Sequence, residues 1–336
     1  MKKTILFRVV GNDEVGMGHI YRTLSLAREF PDCEVLFVAD NNSDLAFKQL
    51  SKHNYYVGTF SELTILKNIV ILQPDLVIND VLDTTKQEIM FLKNNGIKVV
   101  NFEDLGCGAV YADITINELY DNPKFSGENV LWGMDYFFVR DEFLKAKPCQ
   151  FGSRVTDVLF AFGGTDQHDL SRKLYRSTAR LFRDYQINLH IVTGPGYKNY
   201  RKLADEVAAE NNVYLTHATG VISRVMERVQ LAVTSNGRAV YELAHMNVPS
   251  IVVSQHDRER THMFACKENG VIPLGLYQEG VTESMVVHQL DELVNNTQRR
   301  SELYKKTKNF SFSGNKKRVV SLIRDLLSRS SNKLDA

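Results

Sequence analysis

The sequence predicts an α/β chain of two similar domains, each a parallel sheet with helices packed on it. Three observations carry this. Short apolar runs alternate with helix-period segments from residue 4 onward, the rhythm of βαβ units. The rhythm breaks at 145–152, Lys-Ala-Lys-Pro-Cys-Gln-Phe-Gly, and restarts at residue 157, so this stretch reads as a linker. Glycine-rich turns recur where a strand run ends and a helix pattern begins.

In the first half, strands are predicted at 4–7, 35–39, 75–79, 98–102 and 112–117, with helices at 18–29, 43–53 and 84–95. The second half repeats the alternation. Strands are predicted at 157–162, 189–193, 213–215, 231–234 and 250–254, and helices at 169–184, 199–210, 221–229, 237–246 and 258–269. Asp169 reads as the N-cap of the first of these helices, in preference to acid/base work beside Asp166 and His168. Phe137-Phe138 and Phe160–Phe162 read as core. After residue 281 only helical patterns remain, at 282–295, 298–308 and 316–329, with Lys316-Lys317-Arg318 a solvated face. The expected domains are 1–150 and 151–315, with a C-terminal helix, 316–336, packing back on the first.

Of 336 residues, 43% are hydrophobic and 24% charged, the balance of a globular chain. The formal net charge of +1 gives no field to attract a nucleic acid polymer or an anionic membrane. Cys33, Cys107, Cys149 and Cys266 form no CxxC pair and no ligand spacing, so neither a disulfide framework nor a metal site is expected. The start, Met-Lys-Lys-Thr, runs into strand residues without an apolar leader, and no run approaches the ~18 apolar residues of a membrane span. A cytoplasmic protein without an integral membrane segment is expected.

Chemistry concentrates at two places. Gly16-Met17-Gly18-His19 follows a strand and opens an amphipathic helix that includes Arg22. Glycines permit a sharp turn there, and open α/β sheets bind ligands beyond the carboxyl ends of their strands. His19 is therefore either a reacting group or a helix-capping histidine. In the second half, Gly163-Gly164-Thr165-Asp166 and Gly194-Pro195-Gly196 end strands. The run Ser235-Asn236-Gly237-Arg238 leads from a strand into a helix, where backbone N–H groups and the helix dipole suit a diphosphate. Glu242 is placed either to accept both hydroxyls of a ribose or to sit on the helix surface. His256, Arg258, Arg260 and His262 cluster after another strand end, as sugar contacts or as a solvated helix start.

Arg8, Gly16-Met17-Gly18-His19, Arg22, Gly133, Asp135, Tyr136, Arg140, Phe143, Phe162-Gly163-Gly164-Thr165-Asp166 and Ser235-Asn236-Gly237 with Glu242 form one pattern. It resembles the family of the pseudaminic acid pathway UDP-sugar hydrolase and the related spore-coat polysaccharide proteins, over residues 4 to about 275. The second half also resembles the peptidoglycan N-acetylglucosaminyl transferase, through the same turn and acid and through Pro249 to Gln255-His256. The resemblance implies the GT-B architecture, two Rossmann-like domains facing across a cleft, with nucleotide held mainly by the second.

It further implies metal-independent, cofactor-free chemistry at the anomeric carbon of a nucleotide-sugar substrate. In the hydrolase, water displaces UDP from a 2,4-diacetamido-2,4,6-trideoxyhexose. His19 matches the histidine that positions or deprotonates that water, with Asp80 orienting it or holding a sugar hydroxyl, unless Asp80 caps a helix. The diphosphate falls to Ser235, Asn236, Gly237 and Arg238, the ribose to Glu242, and the uracil to backbone near Gly194 and Thr219-Gly220, with Gly164 also at the nucleotide. Gly16, Gly18, Arg22, His256 and Arg260 fall at the sugar. A glycosyltransferase for a surface glycan and a silent nucleotide-sugar-binding partner are the other readings. Two positions depart from the family. The first strand ends Arg8-Val9-Val10 where the family has Arg-x-Asp, leaving Asp13 or Glu14 to substitute, and Asp80-Val81-Leu82-Asp83 stands where the hydrolase has Asp-His-Tyr.

Overall fold

A computed structural model describes residues 2–12 and 14–329. Asp13 and residues 330–336, the end of the expected C-terminal segment, lie outside the described residues. The chain forms two compact units, the first made of 1–138 with 314–336 and the second of 139–313.

The first unit contains β1 (Thr4–Val9), α1 (Gly18–Ala27), β2 (Glu34–Asp40), α2 (Asp44–Leu50), β3 (Tyr56–Phe60), α3 (Ile65–Ile71), β4 (Leu76–Asp80), α4 (Lys86–Asn94), β5 (Lys98–Phe102), β6 (Ile114–Asn117) and β7 (Val130–Trp132). Its seven strands pair in the order β3-β2-β1-β4-β5-β6-β7, every pair parallel. The central strands β1 and β4 are apolar and almost wholly buried, as strands covered by helices on both faces must be. Chain order reverses between β1 and β4, where Val9 stands beside Asp80. A reversal of this kind opens a crevice at the carboxyl ends of the strands.

The second unit holds β8 (Asp157–Ala161), α5 (Leu170–Asp184), β9 (Asn188–Thr193), α6 (Tyr200–Val207), β10 (Val213–His217), α7 (Ser223–Met226), β11 (Leu231–Ser235), α8 (Arg238–His245), β12 (Ser250–Ser254), α9 (Asp257–Arg260), β13 (Val271–Leu276), α10 (Val281–Asn295) and α11 (Thr297–Thr307). Its six parallel strands run β10-β9-β8-β11-β12-β13, reversing between β8 and β11. Ala161 and Thr234 are neighbours there, so the Gly163-Gly164 turn and the Ser235–Arg238 turn leave the sheet side by side.

Four expectations are corrected. The linker reading of 145–152 fails because residues from Val139 onward already pack on the second unit. The Cys149 N–H donates to the Met246 carbonyl at 2.9 Å and Glu142 accepts from the Ser223 N–H at 3.0 Å. Helix 258–269 shrinks to α9, because Phe264 and Ala265 turn into the core. Asp169 does not cap α5: its φ is +59°, and Asp166 accepts from the Leu170 and Ser171 N–H groups at 2.7 and 2.8 Å. The 316–318 basic run is not simply solvated, since Lys316 is buried and meets Glu29 at 2.7 Å.

α12 (Asn315–Ser328) completes the first unit. Val319, Ile323, Leu326 and Leu327 join the core of Ile5, Phe7 and Phe37, while Asn315 donates to the Met134 and Phe137 carbonyls. Because Ile323 is fully buried, Ile323→Ala is expected to cost ~2–5 kcal/mol. A urea melt should show the loss in the first unit's transition.

Candidate functional site

In the first unit the β1–α1 loop is closed on Asn12. Its side-chain oxygen accepts the Glu14 and Val15 N–H groups at 3.0 Å, and its carbonyl accepts from Gly16, whose φ is +78°. That positive φ suits glycine and sets the entry to α1. α1 then presents His19 and Arg22 to the end of β4. The His19 Nδ1 meets Asp80 Oδ1, and Arg22 donates from Nε to Asp80 Oδ2 at 2.8 Å and from Nη2 to Oδ1 at 2.5 Å. Arg22 also donates from Nη1 to Glu118 Oε1 at 2.7 Å. Burial by itself would raise the Asp80 carboxyl, but Arg22, with His19, outweighs it and holds the group well below the usual carboxylate range. With Nδ1–H committed to an ionised carboxylate, the His19 Nε2 is left as the proton acceptor.

Gly16, Gly18, His19, Arg22 and Asp80 thus come together, but not all as contacts for a ligand. The Asp80 side chain is 0% exposed and that of Arg22 1%, against 11% for His19. Arg22 is withdrawn from sugar binding because carboxylates consume its donors, and Asp80, itself buried, holds both His19 and Arg22. Asp80 does not cap α4 either. Thr85 does, in a capping box with Glu88, and Glu88 also receives Arg8 at 2.9 Å. Sequence reasoning missed Glu118 and Glu103, the latter 3.7 Å from Arg22 with φ +55°. The available signal was an acid directly after each of two buried strand runs.

In the second unit Gly164 and Gly194 touch. A Cβ on Gly194 would lie 2.4 Å from the Gly164 Cα and carbonyl oxygen, so this glycine is required for packing between two strand-end loops. The Ser235–Arg238 turn leads into α8 through Gly237, whose absent side chain leaves the N-terminus of the helix open, with Glu259 Oε1 3.7 Å from the Cβ position. Asn236 turns inward: its amide donates to the Glu259 and His262 carbonyls at 2.8 and 3.1 Å. Its side chain therefore fixes the turn rather than reaching a phosphate.

Glu242 is 4% exposed and accepts Arg140 on both oxygens, at 2.8 and 3.0 Å. Arg140 also meets Glu142 at 2.9 Å and lies over the Phe143 ring. A ribose would have to compete with a bidentate guanidinium, so the helix-surface alternative fails and the ribose role requires Arg140 to share. His256 caps α9, accepting the Glu259 N–H at 3.3 Å, and burial lowers its pKa. Arg260, its side chain 62% exposed and paired with Asp257, stands in solvent. His262 is turned to the Asn236 carbonyl, and burial lowers it to about 4. His168 reaches the Gln255 carbonyl at 2.8 Å.

Two Rossmann-like parallel sheets in this order define the GT-B fold class. MurG of Acinetobacter baumannii superposes with a TM-score of 0.64 at 15% identity, covering 97% of this chain and 100% of that one. S. aureus MnaA in complex with UDP gives 0.64 at 14% identity, covering 99% of each chain. No family model matches the chain. By sequence the chain is similar to the spore coat polysaccharide biosynthesis protein SpsG of Bacillus subtilis, 23% identical over 337 residues and covering 94% of this chain and 96% of that protein. An uncharacterized protein of Methanocaldococcus jannaschii is 28% identical over 270 residues, covering 74% of this chain, which spans only 55% of that protein's length. Among the described residues no helix is long and apolar enough to cross a membrane.

Removing Arg22 would leave Asp80 and Glu118 buried without their cation. Arg22→Ala should therefore cost ~3–5 kcal/mol of stability in chemical denaturation, where a sugar-contacting arginine would leave stability unchanged. Gly194→Ala should cost ~1–3 kcal/mol in the same measurement, because backbone must move to admit the methyl group.

Proposed function

We propose that the chain is a nucleotide-sugar hydrolase in glycan biosynthesis, releasing a modified amino sugar of the 2,4-diacetamido-2,4,6-trideoxyhexose type from UDP. The observation that carries the reading is the His19 ring, held through Nδ1 by an ionised, buried Asp80 with Nε2 left as a base. Support for the substrate class comes from the similarity to a spore coat polysaccharide biosynthesis protein and from a fold shared with a protein solved with UDP.

In this reading His19 supplies the base and the Ser235–Arg238 turn holds the nucleotide. Water attacks the anomeric carbon as His19 Nε2 takes its proton, and the bond to the diphosphate oxygen breaks with the electron pair leaving on UDP. The open N-terminus of α8 and the Arg238 guanidinium stabilise the charge that develops on the leaving group. Leu82 stands where the related hydrolase has a tyrosine, so His19 carries the proton transfer without that partner.

The test is incubation of the pure protein with a panel of UDP-sugars, with and without acceptors. Free sugar and UDP formed without an acceptor support hydrolysis, and turnover only with an acceptor turns the reading to a glycosyltransferase. His19→Ala should lower turnover ~10²–10⁴-fold while leaving UDP affinity and melting temperature near the parent values. Loss of UDP affinity with saturated turnover unchanged would remove His19 from the chemistry.

A further inference from the structure

Glu259 is one of the buried acids that the proposed mechanism does not use. Glu259 is 9% exposed and lies beneath the Ser235–Arg238 turn. Its Oε2 accepts the Gln255 N–H at 2.7 Å, and its Oε1 lies 3.7 Å from where a Cβ on Gly237 would stand, against the turn itself. The protein thus keeps an anion of its own against the backbone where a diphosphate would bring several more negative charges.

We propose that Glu259 is an internal anion of this turn, and that a nucleoside diphosphate binds there together with a proton taken up by this carboxyl. The inference rests on the reading of the turn as the diphosphate site. Like charges in a buried setting disfavour the ionised form, so the complex holds the protonated acid, which still accepts the Gln255 N–H through its carbonyl oxygen.

The surroundings assign the proton to Glu259. Near it are His256, with Nε2 at 3.9 Å, His262 behind Asn236, and His168 through the Gln255 carbonyl, while Arg238 opens α8 and Arg258 shares α9 with Glu259. Burial lowers both His256 and His262, the latter to about 4, so neither carries a proton above neutral pH. Burial raises Glu259 to about 7, against the pull of the Gln255 N–H group. A terminal phosphate, with its second pKa about 6, is already ionised there.

The sign follows from linkage. The complex binds more protons than the free protein, so affinity falls as pH rises past 7, at a limiting slope of about tenfold per pH unit. Calorimetry of UDP binding in two buffers of different ionisation enthalpy should show proton uptake at pH 7.5 and a Kd weakening ~3–10-fold from pH 7 to 8.5. Glu259→Gln should lose the uptake, flatten the profile and bind UDP more tightly at pH 8.5. If that variant does not fold, Glu259→Met, of similar length and uncharged, replaces it. UDP binding without proton uptake in the parent protein, or uptake retained in the variant, overturns the proposal. Absence of UDP binding in the parent protein instead overturns the diphosphate reading of the turn.

Discussion

The first unit's chemistry depends on one buried ion pair, Arg22 with Asp80. Charges removed from water are tolerated only when paired and hydrogen-bonded, and here Nε, Nη1 and Nη2 of the guanidinium each donate to a carboxylate. That requirement pins the first turns of α1 to the ends of β4 and β6. His19 lies one helical turn before Arg22, so fixing the arginine fixes the histidine. The glycines at 16 and 18 allow the chain to enter the helix where the pair demands. The His19 ring is thus held in place by a buried arginine.

The second unit solves a different problem. Under the proposed function its strand-end turns must leave backbone N–H groups arranged for an anion without unfolding when none is bound. Asn236, Gln255 and Glu259 answer this by bonding the turns to each other from within. Arg140 and Glu242 tie the segment that enters the unit to α8. The residues that mark the family pattern here, Arg140, Phe143 and Glu242, are consequently one cluster, although they are about a hundred positions apart in the chain.

Most of the fold was legible because parallel strands buried on both faces are apolar runs that stand out against amphipathic helices. The strands that escaped, β3, β7 and β13, lie toward the sheet margins: β3 exposes Tyr56, β7 has three residues, and β13 carries Pro273, which only an edge position admits. At the site, the position of His19 and its partnership with Asp80 were readable from a glycine turn and a strand end. What Arg22 and Asn236 do was not. A sequence shows a polar residue near a site but not whether it points at a ligand or away from it, and both of these point inward. Glu118 and Glu259 escaped for the related reason that a buried acid is ordinary in sequence and unusual only in its surroundings.

The placement of α12 bears on how the molecule is made. The second unit is continuous in the chain, from 139 to 313, whereas the first needs both flanking stretches. The second unit can acquire its full core without residues 315–328. The first unit cannot. Its leading sheet must wait with the surface that Val319, Ile323 and Leu327 will cover still open to water, an apolar face of the kind chaperones hold and aggregates recruit. Order of synthesis and order of completion are therefore opposite in this protein, and the part that carries His19 is the last to be finished.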